Sequence, residues 1–205
     1  MLRWSGLVLC FLGACFFLYA LFSILSQHQQ TNAALEEAKH SLSKAEFSSK
    51  TKQLADEENP IPRYQFTQGA IVGLLKLPVL NKELPIVEGT DEIDLEKGVG
   101  HLSSTKLPGQ QDNIFLAGHR DTVFKGLGKL SIGDTLLVEM TSGTFEYVII
   151  ETFIVKEDDL SVTLPTSPNE MLTLSTCYPF AALSSTKERY IIRAEKKTKA
   201  RNSPP

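Results

Sequence analysis

Cysteine is scarce in this chain, with three in 205 residues. Cys10 and Cys15 lie inside an apolar run, where a thiol behaves as a small hydrophobe. Cys177 therefore has no intramolecular disulfide partner in the water-exposed part, which excludes a disulfide-stapled scaffold. A basic excess is also missing: 21 Lys and Arg against 24 Asp and Glu leave a net charge of -3. No basic field is available for a nucleic-acid partner. Nothing repeats at a period of about 20–50 residues, which argues against a solenoid or propeller. The length suits one domain with a sizeable core and falls short of two ordinary ones.

What stands out first is the N-terminus. Leu7 to Leu25, "LVLCFLGACFFLYALFSIL", carries no charge. At about 1.5 Å per residue it spans roughly the 30 Å hydrocarbon core of a bilayer. We expect a tail over residues 1–4 and a transmembrane anchor over 5–27. A cleaved signal peptide would need an apolar region of about 7–15 residues and a small-x-small site, which "SQHQQTNAAL" offers poorly. Arg3 before the run and Lys39 and Lys44 after it leave the orientation open by charge alone.

Residues 28–62 read as a stalk or linker. Thr31 to Glu58 holds good helix formers with a thin apolar stripe through Ala34, Leu35, Leu42 and Leu54, so a solvated helix and a disordered spacer both fit. "NPIP", Asn59 to Pro62, ends any helix, and a globular domain is expected over 63–197 with a frayed lysine-rich tail over 198–205. Within the domain, short β-branched runs alternate with turn signals: "AIVGLLKLP", "ELPIVEGT", "NIFLAGH", "DTLLVEM", "FEYVIIETFIVK", "MLTLSTCY" and "RYIIRAE". Seven or eight short strands predict a mainly β fold, a barrel or sandwich. Helix is expected only in "DEIDLEKG", with Thr90 as N-cap, and in "TVFKGLGKL"; "SGT", Ser142 to Thr144, reads as a hairpin connection.

Four histidines are present, but His28 and His40 fall beside the apolar run or in the stalk. His101 and His119 remain. His119 ends the strand run of "NIFLAGHR", Cys177 ends that of "LTLSTCY", and Arg189 opens the last strand. A cysteine with an available histidine is a candidate nucleophile and acid/base pair, and a guanidinium can stabilise a developing oxyanion. Each position also has a plain reading: a packed small hydrophobe, a hydrogen-bonded structural histidine, a surface ion-pair arginine. Asp121 reads as a turn or capping residue.

"TLSTC" with aromatics after it, "AGHR" upstream and "RYIIRA" downstream together resemble the signature of the sortases, membrane-anchored cysteine transpeptidases of Gram-positive bacteria. "GLLKLPVLNKELPIVEGTDEIDLEKGVGH" and "NIFLAGHRDTVFKGLGKLSIGD" extend the similarity to class D sortases over about Gly69 to Ala194. The resemblance implies an eight-stranded β-barrel, with His119, Cys177 and Arg189 as catalytic residues and Thr176 as a substrate-binding position. His101 in "GVGH" also matches the class pattern as a substrate-binding position lining the cleft, but a structural role is favoured because His119 fills the acid/base position. It implies no cofactor and no metal. Calcium in another sortase class draws on acids before the histidine strand, where "HLSSTKLPGQQDN" has only Asp112. Asp91, Glu92 and Asp94 read as a solvated first helix turn. One departure lies beside the cysteine: "AALSSTKER" has neither the glycine nor the proline usual there.

The implied reaction cuts a sorting signal similar to Leu-Pro-x-Thr-Gly after the threonine. A thioacyl intermediate then passes to an amine of a peptidoglycan precursor or a pilin. Secreted proteins with a C-terminal sorting signal are the implied partners, and the domain of a single-pass membrane protein would face outward. Two other functions fit the residues: a membrane-tethered, non-catalytic peptide-binding barrel with Cys177 as core filler, and a cysteine hydrolase.

Overall fold

The structure is a computed structural model that describes residues 2–52, 62, 64–182, 184 and 186–197. The Asn59–Ile61 break and the tail over 198–205 lie outside them. Eight strands, β1 Ile71–Leu77, β2 Lys82–Glu88, β3 Val99–His101, β4 Asn113–Ala117, β5 Thr135–Met140, β6 Gly143–Lys156, β7 Met171–Tyr178 and β8 Glu188–Lys196, close into a barrel in the order β1-β2-β3-β4-β7-β8-β6-β5. Closure leaves no unpaired edge. The pairs β2–β3 and β4–β7 are parallel and the others antiparallel.

Strand alternation fills the barrel. Leu75, Leu77, Ile86, Ile114, Leu116, Leu136, Leu172, Leu174 and Ile192 are buried in one cluster. Their neighbours along β4, β7 and β8 point to the outer face, where Phe115, Val162 and Ile191 form a smaller cluster. One end of the barrel is tied by Glu170. This buried carboxylate accepts from Tyr147 Oη at 2.7 Å and from the amides of Gly109 and Gln111 at 3.1 Å, and pairs with Lys196 at 3.1 Å. Burial and the Glu170 charge push the Tyr147 hydroxyl far above the usual phenol range.

Several expectations need correction. The three-residue β3 was not anticipated as a strand. The helix α2 runs Glu92–Lys97 with Asp91, not Thr90, at its N-cap. "TVFKGLGKL" is a series of turns ending in a 3-10 turn at Leu127–Lys129. Lys82 Nζ donates to the carbonyls of Thr122, Val123 and Lys125, and Gly126 adopts φ +87, so the backbone there is spent on a turn. "SGT" does join β5 to β6, whose ladder ends at Met140↔Gly143.

Helix α1 covers Leu2–Lys52 without a break, taking in the apolar run and the stalk as far as Lys52; the stalk residues 53–61 lie outside the described residues. The stalk helix is not solvated all round. Ala34 and Ala38 are 6% and 1% exposed, and the helix lies on β1, β2 and α2. Small side chains at that spacing let the backbones approach closely. Thr31 Oγ1 donates to the Glu96 carbonyl at 3.2 Å, and Lys39 pairs with Glu83 at 3.0 Å. Among the described residues no helix is long and apolar enough to cross a membrane.

Candidate active site

Strands β4 and β7 run parallel in register from Asn113↔Met171 to Ala117↔Ser175. Two bonds carry the pairing one step further: the Gly118 amide donates to Ser175 O at 3.1 Å, and Thr176 Oγ1 donates to Gly118 O at 2.7 Å. Extending that register by two residues, past the end of β4, would bring His119 level with Cys177. On the other side of β7, the antiparallel ladder makes Cys177 and Arg189 direct partners. Three residues distant in sequence thus share one end of three adjacent strands, and all three are half-buried.

The local sequence explains this arrangement. Gly118 is where β4 stops. A Cβ there would lie 2.8 Å from Phe124 and Val123, so only glycine lets the following turn fold back so closely. The Phe124 amide then bonds to His119 O at 2.9 Å, closing the turn on the histidine.

A groove of about 260 Å³ lies on the outer face beside these strand ends. Phe115, Ala117, Ser175 and Ile191 line it together with Arg189, and Leu160 and Val162 reach it from the β6–β7 connection. An apolar groove ending at a fixed cation suits an extended peptide whose carbonyl must be polarised. A larger groove, about 1060 Å³, lies toward the Met171 end around Glu170 and Lys196; Arg189 lines the smaller groove, and neither groove is lined by Cys177 or His119.

Carboxylates flank the site on two sides. Arg189 Nη2 meets Glu157 Oε2 at 3.2 Å, while its Nη1 donates to Thr186 O at 2.7 Å and Glu188 O at 3.0 Å. His119 Nε2 stands 3.5 Å from Glu92 Oε1, at the first turn of α2. Sequence reasoning gave neither glutamate a place at the site. Glu92 remains exposed as expected, but Asp94 is buried and accepts from Gln68 Nε2 at 3.3 Å. Only the position of Glu157 just past a strand end hinted at its role.

Thr176 and His101 are placed away from the groove. Each is 2% exposed. The Thr176 hydroxyl faces inward to Gly118 O. His101 Nδ1 lies 2.7 Å from Glu88 Oε2, and its Nε2 3.0 Å from Lys106 O. Burial works against the charged Glu88 carboxyl, but hydrogen bonds from His101 and Ser103 outweigh it and hold that carboxyl below its usual range. Asp121 is exposed beside the site. Among the described residues, no group of three His, Cys, Asp or Glu side chains is placed to hold a metal ion.

The chain and its barrel have known relatives. The family model of the sortase domain matches residues 75–197. The chain is 40% identical over 180 residues to sortase D of Bacillus subtilis (strain 168), covering 88% of this chain and 91% of that protein. A Clostridium perfringens sortase D5 transpeptidase superposes with a TM-score of 0.68 at 25% identity, covering 83% of this chain and 99% of that one. Sortase C of Clostridium perfringens with the C-terminal cell wall sorting motif superposes with a TM-score of 0.60 at 25% identity, covering 83% and 89%.

Proposed function

The chain belongs to the sortase family of cysteine transpeptidases, which anchor proteins to the cell wall, and from that premise we propose that Cys177, His119 and Arg189 carry its acyl transfer on a sorting signal similar to Leu-Pro-x-Thr-Gly. The observation that supports the assignment is the strand register, which makes Arg189 the direct partner of Cys177 on β8 and ends the β4–β7 ladder at Ala117↔Ser175, two residues before His119 and Cys177.

In the first half-reaction the Cys177 thiolate attacks the threonine carbonyl carbon, since the thiolate and not the thiol is the nucleophile. Arg189 meets the developing oxyanion with donors fixed in a fork. The C–N bond after the threonine breaks as His119 gives its proton to the leaving amine, and a thioacyl link to Cys177 remains. In the second half-reaction an amine attacks that carbonyl while His119 takes up a proton. The C–S bond breaks and a new amide forms. The acceptor is an amine of a peptidoglycan precursor or a pilin.

On its sequence, the uncharged run Leu7–Leu25 serves as a single-pass anchor over residues 5–27, with the barrel on the outer face of the membrane. Supporting this, Leu12, Phe16, Phe17 and Phe22 stand 60–75% exposed, uncovered by the rest of the chain. At that face the enzyme, secreted substrate and lipid-linked acceptor meet. The test is cleavage of a fluorogenic sorting-signal peptide by the full chain in detergent micelles. Wild type should cleave, and C177A, H119A and R189A should not. Retained cleavage in C177A overturns the assignment, and turnover that gives no amide product with added amine favours a hydrolase.

A further inference from the structure

We propose that Arg120 is a positioning residue that fixes Arg189 at the site by clamping the β7–β8 loop. Arg120 directly follows His119, yet its guanidinium reaches across to the loop between Cys177 and Arg189. Its Nη2 donates to Ala182 O at 2.7 Å and to Ser184 O at 2.5 Å, and its Nη1 donates to Thr186 Oγ1 at 3.2 Å. Thr186 is then used a second time, because its carbonyl accepts from Arg189 Nη1 at 2.7 Å. One residue, through hydroxyl and carbonyl, bridges two guanidinium groups.

The chemistry of the loop explains why an outside clamp is needed. "AALSSTK" holds neither proline to restrict φ nor any regular structure among its described residues. Its start is held by aromatic contacts. Phe180 packs 5.1 Å from the Tyr190 ring and lies so close to Gly128 that a Cβ there would clash with it. Its middle and end are held by Arg120. Among the described residues Arg120 makes no ion pair with a carboxylate; its charge is spent on three oxygens of a single loop. Such charge-assisted bonds are short and directional, and the planar fork loses little freedom in making them.

The consequence lies at Arg189. Its guanidinium has two sets of partners: Thr186 and Glu188 carbonyls on Nη1, and the Glu157 carboxylate on Nη2. With Thr186 fixed by Arg120, the fork holds its place over the partner position of Cys177. With Thr186 released, Glu157 is the stronger remaining partner and draws the fork away.

This inference rests on the reading of Arg189 as the group that meets the substrate carbonyl, and the test separates the two. Peptide turnover, alkylation of Cys177 by iodoacetamide and thermal melting are measured for the full chain in micelles carrying R120A, R120K, T186V, R120A/T186V or R189A. Displacement of a positioned group costs about ten- to a hundredfold in rate, so R120A should lose at least about tenfold in kcat with KM changed less than about threefold. R120K, which cannot span three acceptors, should recover only part of this. T186V keeps the carbonyl and loses the hydroxyl, and should fall by about threefold, with the double variant no slower than R120A because both act on one path. Cys177 alkylation should stay within about twofold of wild type, because Arg120 acts on the arginine and not on the thiol. Wild-type turnover in R120A, additive losses in the double variant, or an equal fall in alkylation would each overturn the proposal. If R120A does not fold, R120K and T186V carry the same comparison. Cleavage retained by R189A would instead overturn the reading of Arg189 itself.

Discussion

Cys177 and Arg189 are direct partners across the antiparallel β7–β8 ladder, so both side chains leave the same face of the barrel. That relationship is set by backbone hydrogen bonding and survives changes in the side chains themselves. Substituting lysine at Arg189 keeps the charge at this position but removes the fork that holds Thr186 O, Glu188 O and Glu157 together. Turnover in R189K should fall by at least about tenfold while the melting temperature stays near wild type, because an exposed pair adds little stability. Steady-state kinetics with parallel melting curves check this.

On the proposed mechanism, Glu157 competes with substrate for Arg189. The pair is partly exposed, and such pairs are worth about 0–1 kcal/mol, so E157Q should raise kcat/KM by no more than about fivefold. A fall of tenfold or more would mean that Glu157 supports the arginine instead of restraining it.

Thr176 ties β7 to β4 between the cysteine and the histidine. T176V keeps the shape and leaves the buried Gly118 carbonyl without its donor, at a cost of about 1–3 kcal/mol in stability. Denaturant unfolding should show that loss, and kcat should fall more than KM rises because the two reacting strand ends lose their common tie.

The Glu88–His101 pair predicts a pH dependence of stability. The folded Glu88 carboxyl is held below its ordinary value of 4.5, so the folded state binds fewer protons than the unfolded state near that pH. Its contribution is therefore present above the unfolded value and lost as pH falls through the folded one. The gap in melting temperature between wild type and E88Q should be widest near neutral pH and shrink on acidification to about pH 3. A gap independent of pH would contradict it.

Much of this was legible in the residues, and the gaps have physical causes. Short apolar runs bounded by turn residues in "NIFLAGH", "MLTLSTCY" and "RYIIRAE" announce β4, β7 and β8, whose ends meet loops where the proposed chemistry sits. "VGH" is too short to show a period, so β3 emerges only from its pairing with Glu88 and Leu116. "TVFKGLGKL" has helical spacing, but Lys82, forty residues before the turn it caps, takes its carbonyls. The docking of α1 rests on Ala34 and Ala38, and two alanines are a faint signal for a buried stripe. His119 and Cys177 stand out by residue type, and their catalytic roles belong to the proposal. That Arg120 and Thr186 stand behind Arg189 needed coordinates, because local sequence carries no mark of a clamp reaching 66 residues along the chain.

The most direct measurement is intact-protein mass spectrometry of the full chain mixed with a sorting-signal peptide and quenched in acid before an acceptor amine is added. The account predicts a mass increase equal to the peptide up to its threonine, mapped to Cys177, cleared by hydroxylamine and absent from C177A. Peptide cleavage with no adduct at Cys177, or an adduct at another residue, would contradict it.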